Sequence, residues 1–169
     1  MTSAPVRVIV TDTNVLVNLI HVSRMELFGR IPSHEFILPD HVRDEITRPE
    51  QRTAIDAAIR AGILKVEAIT EIPALELYSQ LKERMGRGES ACIALAESRG
   101  WAVASDERGR FRREALARVG ADNLLGTPEI FVLAIQAGLL TIEEADRDKC
   151  TLEQNRFKMP FGSFRDFLA

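Results

Sequence analysis

The stretch Val6-Arg7-Val8-Ile9-Val10-Thr11-Asp12-Thr13-Asn14-Val15-Leu16-Val17-Asn18-Leu19-Ile20 joins two apolar patterns across a single acid. Residues 6–12 read as a buried strand, because a short unbroken apolar run suits a strand covered on both faces. Val15, Leu16, Leu19 and Ile20 then recur at helical spacing, so a helix follows at once. A strand feeding directly into a helix is the repeating unit of an α/β fold.

The alternation continues outward from that stretch. Phe36-Ile37-Leu38 reads as a second strand closed by Pro39, and Asp40 as the N-cap of a helix carrying Val42, Glu45 and Ile46. Pro49 limits that helix, and another spans about 51–61, ending at Gly62. Residues 63–69 are expected as a third strand, followed by helices over about 73–85 and 89–99. A fourth strand is expected at 101–105, a helix over about 108–119 and a short fifth strand at 123–126. Thr127-Pro128 opens a helix that Gly138 ends, and 142–156 is again helical. A mostly parallel sheet in one domain over 1–169 is the expectation, with a core at about 6–140 and a helical extension at 141–169.

The chain has 169 residues, with 46% hydrophobic and 28% charged, an ordinary balance for a globular protein. No apolar run approaches the roughly 20 residues of a membrane span, so no membrane partner is expected. Met1 to Pro5 has neither the basic nor the apolar region of a signal peptide. Cys92 and Cys150 make no disulfide framework, and a reducing, cytoplasmic setting is the expectation. The net charge of −3 speaks mildly against nucleic acid, but its distribution does not. Between Lys82 and Arg118 nine basic residues face six acids, and such a basic patch around an acidic centre suits a phosphate-rich substrate.

Four acids carry the functional reading. Asp12 and Asp106 each follow an apolar strand, and strand C-termini in open α/β sheets line the ligand crevice. Glu89 shares a helical stripe with Cys92, Ile93 and Ala96, and Glu45 shares one with Val42 and Ile46. Carboxylates turned inward together must protonate or be neutralised, and a divalent cation achieves the second. A metal site is therefore expected. His21, His34 and His41 all fall outside these segments, which leaves no histidine placed as a general base.

The pieces Thr11-Asp12-Thr13-Asn14-Val15-Leu16-Val17, Asp44-Glu45-Ile46 and Gly88-Glu89-Ser90-Ala91-Cys92-Ile93-Ala94-Leu95-Ala96, then Ser105-Asp106-Glu107-Arg108 and Gly126-Thr127-Pro128, stand in one order. In that order they resemble the PIN-domain nuclease family, and within it the VapC-type toxins of toxin–antitoxin pairs. The likeness covers about residues 6–140 and implies a three-layer α/β/α sandwich around a central, mostly parallel sheet of about five strands. It implies an acidic pocket that binds Mg²⁺ or Mn²⁺ and cleaves RNA, with a cognate antitoxin as partner; a second copy of the chain is the other partner considered, through the apolar tail.

Hard cations prefer oxygen ligands, which agrees with the residue types. Asp12, Glu89 and Asp106 are assigned to metal ligation, and Glu45 either ligates or accepts from metal-bound water. Asn14 either orients Asp12 or caps the first helix. Thr127 either matches a hydroxyl position near such sites or is an N-cap ahead of Pro128. Glu107 either supplements Asp106 or faces solvent. Arg108 and Arg110 are the expected phosphate contacts, with Arg84 and Arg87 as the alternative path.

Phe157, Phe161, Phe164 and Phe167 crowd the last residues, and Ser163 and Asp166 have the spacing of a capping box for a terminal helix. The tail is expected to pack on the domain body; an apolar surface for a partner is the alternative. Two rival functions remain: a catalytically silent interaction module on the same fold, and a Mg²⁺-dependent phosphatase. The phosphatase lacks its second aspartate, since Asn14 holds that position, and no lysine follows any strand.

Overall fold

A computed structural model describes residues 5–169, so Met1–Ala4 and the reading made there for a leader lie outside the described residues. β1 (Arg7–Thr11) occupies the centre of a five-stranded sheet. β2 (His34–Pro39) and β3 (Lys65–Glu67) lie to one side of it, β4 (Ala102–Ala104) and β5 (Leu124–Leu125) to the other. Every pairing is parallel; Ile9 stands opposite Phe36 on β2 and Ala102 on β4. Strands covered on both faces need apolar side chains throughout, and Ile9, Val10, Phe36, Ile37, Leu38 and Val103 are all buried. Thr11 is the buried polar residue of the strands, and its hydroxyl donates to the Ile37 carbonyl at 2.8 Å.

The helices are α1 (Thr13–His21), α2 (Leu27–Arg30), α3 (Asp40–Glu45), α4 (Pro49–Arg60) and α5 (Ile72–Leu81). They continue as α6 (Arg87–Arg99), α7 (Gly109–Val119), α8 (Thr127–Gln136), α9 (Ile142–Gln154) and α10 (Phe164–Leu168). The chain travels one way across the sheet from β1 to β3 and the other way from β3 to β5. Right-handed crossovers then put α1 and α4 on one face and α6 and α7 on the other. The packing agrees: α1 meets α4, α8 and α9, while α6 lies on β1, β2 and β4 beside α5 and α7. This is the expected three-layer sandwich. The strand order reverses between β1 and β4, and such a switch point opens a crevice at the strand C-termini.

Local details depart from the expected elements. β3 covers Lys65–Glu67 rather than 63–69, because Leu64 and Ile69 are buried outside the ladder of an edge strand. β5 is reduced to Leu124–Leu125 by a 3₁₀ turn at Ala121–Asn123. α2 has no counterpart in the expected elements; it is a single turn. Pro39, not Asp40, precedes the first turn of α3, and Asp40 lies inside that turn. Pro49 opens α4 as its first residue, where a missing N–H costs nothing.

The tail packs on the body. Ser163 donates to Asp146 at 2.7 Å, and Phe164, fully buried, stacks on Phe131 of α8 with centroids 5.5 Å apart. Ser163 caps α10 by accepting from the Arg165 N–H at 3.1 Å. Phe167 stays 40% exposed at the outer edge of this cluster.

Candidate metal centre

The turn from β1 into α1 builds the floor of the site. The Asp12 N–H continues the β1–β4 ladder by donating to the Ala104 carbonyl at 2.9 Å. Its carboxylate caps α1, accepting from the Thr13 N–H at 2.8 Å, and accepts from the Ser105 hydroxyl at 3.0 Å. Asp12 is only 4% exposed. Burial, with the Glu89 and Glu107 charges added, pushes its carboxyl up to about 7 against the pull of those two donors.

Three further acids share the opening. Glu89 lies in the first turn of α6, where the helix dipole favours an anion. Burial raises its pKa, and the charges of Glu107 and Glu45 raise it further. Glu45 ends α3 with its side chain exposed rather than inward on the apolar stripe, and it accepts from the Gly88 N–H at 2.8 Å. A Cβ on Gly88 would overlap that carboxylate, so the close approach needs glycine. Glu107 accepts from the Asn14 amide at 3.1 Å. Asp12, Asn14, Glu45, Glu89 and Glu107 line one pocket of about 390 Å³.

Asp106 is placed differently from the expectation. Its carboxylate accepts from the Thr127 N–H at 2.7 Å, the Thr127 hydroxyl at 2.5 Å and the Asn18 amide at 3.1 Å. These donors turn it toward the start of α8, and Glu107 takes the place at the acidic pocket. Burial raises the pKa of Asp106 while Thr127 and Asn18 hold it down. Thr127 is accordingly not an N-cap: Gly126 precedes α8, and the Thr127 hydroxyl is buried against Asp106 and Asn18. Asn14 is likewise not the cap of α1, a role Asp12 fills. Its carbonyl accepts from the Asp106 N–H at 3.1 Å, which aims its amide nitrogen at Glu107 and Asp12.

Among the arginines, Arg84 pairs with Glu114 at 3.3 Å and Arg110 donates to the Arg84 carbonyl, so both are engaged away from the pocket. Arg87 is exposed at the start of α6. Arg108 is exposed, and no carboxylate pairs with it among the described residues. Asn18 and Ser105 were not singled out from the sequence. Asn18 had a signal, since it lies one helical turn after Asn14 and three residues after Val15, on the buried side. Ser105 had only its place beside Asp106.

The donors fit a hard divalent cation, being all oxygen, partly desolvated and mutually repelling. As the side chains stand, no three His, Cys, Asp or Glu residues among those described converge on one ion. Mg²⁺ needs no such convergence, because it keeps several waters and takes one or two carboxylates directly.

A parallel α/β/α sandwich with a carboxylate pocket at its strand-order reversal defines a class of α/β protein that takes its ligand at the strand C-termini. A family model described as PIN domain matches residues 8–157, and the chain belongs to the PIN-domain family. PIN domains are usually nucleases and generally use divalent metal ions. No curated protein matches this chain. The matched span runs past the expected core boundary near 140 and through α9. No helix among the described residues is long and apolar enough to cross a membrane.

Proposed function

We propose that this chain is a divalent-metal-dependent endoribonuclease. The observation that carries the reading is the buried Asp12, set at the end of the central strand with Glu89, Glu107 and Glu45 around it. Four carboxylates in one opening repel each other and the phosphate they would meet unless a cation lies among them. Asp12 and Glu89 would hold Mg²⁺ or Mn²⁺ directly, with Glu45 and Glu107 accepting from its waters. Such an ion supplies charge neutralisation at the phosphoryl oxygens and acidifies the attacking water. Ser105, Thr13 and Asn14 hold the acids in place by the hydrogen bonds given above, and Asn14 ties Glu107 to Asp12. No histidine enters the pocket, so the proton of the attacking water passes to a carboxylate or to solvent.

The finer reading is a VapC-type toxin acting in the cytoplasm and held by a cognate antitoxin. The resemblance of the Asp12 and Glu89 segments supports it. The central test incubates labelled single-stranded RNA with the protein and Mg²⁺, Mn²⁺ or EDTA. Cleavage in the metal arms and none in EDTA is expected; intact RNA in every arm would return the chain to the reading of a silent interaction module.

A further inference from the structure

Beside the acidic pocket runs a second groove of about 470 Å³ that the nuclease reading does not use. One wall is the turn after β4 with the start of α7, which presents Arg108 and Arg112. The other is the tail, which presents Phe157, Lys158 and Phe161. Glu107 lines both hollows, so the groove opens directly onto the acids. Of the other acids in its wall, Asp106 is turned to Thr127, and Glu129 accepts from the Gly126 N–H at 2.8 Å. The wall thus sets Arg108, Arg112 and Lys158 beside Asp106, Glu107 and Glu129, with the Asp106 and Glu129 carboxylates occupied at the start of α8.

The aromatic rings are not equivalent. Phe161 packs on Phe167 and Phe164, with centroids 4.6 and 5.1 Å away. Phe157 is half-buried, and among the described residues no other aromatic ring stacks on it. Arg108, Arg112 and Lys158 are exposed, and no carboxylate pairs with them among the described residues. A half-buried ring lining a groove beside exposed, unpaired cations suits a base and its flanking phosphates, as an unstacked nucleotide offers them.

We propose that this groove is a subsite for one unpaired nucleotide of single-stranded RNA, with its base on Phe157 and its phosphates on Arg108 and Arg112. The proposal rests on the nuclease reading and places part of its substrate between the start of α7 and the tail. A duplex keeps its bases stacked and cannot use the ring.

The test measures binding apart from cleavage. A short fluorescein-labelled single-stranded oligoribonucleotide is titrated by anisotropy in EDTA, against the same sequence in a duplex. The wild type is expected to bind the single strand roughly tenfold or more tightly than the duplex. Phe157→Leu keeps the apolar bulk but loses the π face, and is expected to weaken binding roughly five- to a hundredfold. Phe157→Tyr restores it. Arg108→Ala with Arg112→Ala, at two exposed positions that leave folding untouched, is expected to flatten the salt slope by about 1.4, from about 0.7 per lost phosphate contact. Equal binding of duplex and single strand, Leu and Tyr variants that behave alike, an unchanged salt slope, or no binding by the wild type would overturn the subsite. Cleavage with Mn²⁺ is read in parallel. Wild-type cleavage with binding indifferent to Phe157→Leu leaves the nuclease standing and removes the subsite. The expected binding pattern without any cleavage does the reverse.

Discussion

Burying a carboxylate as deeply as Asp12 ties the metal-free fold to pH. Its folded pKa of about 7 lies above the ordinary 3.8, so the native state binds the extra proton across that interval. Stability without metal should therefore fall as pH rises from about 4 to about 7, by up to about 1.4 kcal/mol per pH unit from this group. Asp12→Asn should remove that slope, raise the melting temperature in EDTA at neutral pH and abolish cleavage, by roughly a hundredfold or more if a ligand is lost. Melts from pH 4 to 8 compare the two proteins; parallel curves would show that Asp12 is ionised in the native state throughout. The neighbouring acids separate by the same logic. Glu107→Gln should shrink the rise in melting temperature on adding Mg²⁺, a gain set by mass action. Asp106→Asn should keep that rise but lower stability by about 1–3 kcal/mol, because an amide cannot accept from Asn18 and both Thr127 donors. Loss of the Mg²⁺ response in Asp106→Asn alone would return that residue to the ligand set.

At the scale of elements, the approach of α6 to the end of α3 sets the width of the pocket. Gly88 lets its own N–H reach Glu45, and a methyl group there must push the carboxylate away. Gly88→Ala should change stability by less than about 1 kcal/mol, since the methyl meets only the far end of the exposed Glu45 side chain and alanine is the better helix former. It should also weaken the Mg²⁺ response, since Glu45 moves. An Mg²⁺ response equal to that of the wild type would show that Glu45 is not held there. The terminal helix α10 offers the complementary case. Phe164 fills a fully buried site against Phe131, so Phe164→Ala should destabilise by about 3–5 kcal/mol. Its effect should reach the groove lined by Phe157 and Phe161 before it reaches the acids, which hydrogen exchange along the tail would show.

For the whole molecule, the direction of chain travel decides where chemistry is possible. Strands leave β1 both ways, so the helices that would otherwise cover its C-terminal edge part there and leave Asp12 at the floor of a crevice. Alternating apolar periods marked the β1–α1 junction, α6 and β4 in the sequence, since periodicity is a local property. Strand ends therefore placed Asp12 and the Ser105–Glu107 turn at one edge before any contact was known. The short edge elements were less legible: β3 and β5 are trimmed by their neighbours, and α2 is too short to show a period. The sequence by itself determined a parallel α/β chain with acids at its strand ends and a phenylalanine-rich tail that must find cover. Only the tertiary structure decided that Glu107 faces the pocket and Asp106 turns away. That choice depends on donors from Thr127 and Asn18, 21 and 88 residues distant along the chain, and hydrogen bonds between such remote groups leave no periodic mark in a sequence.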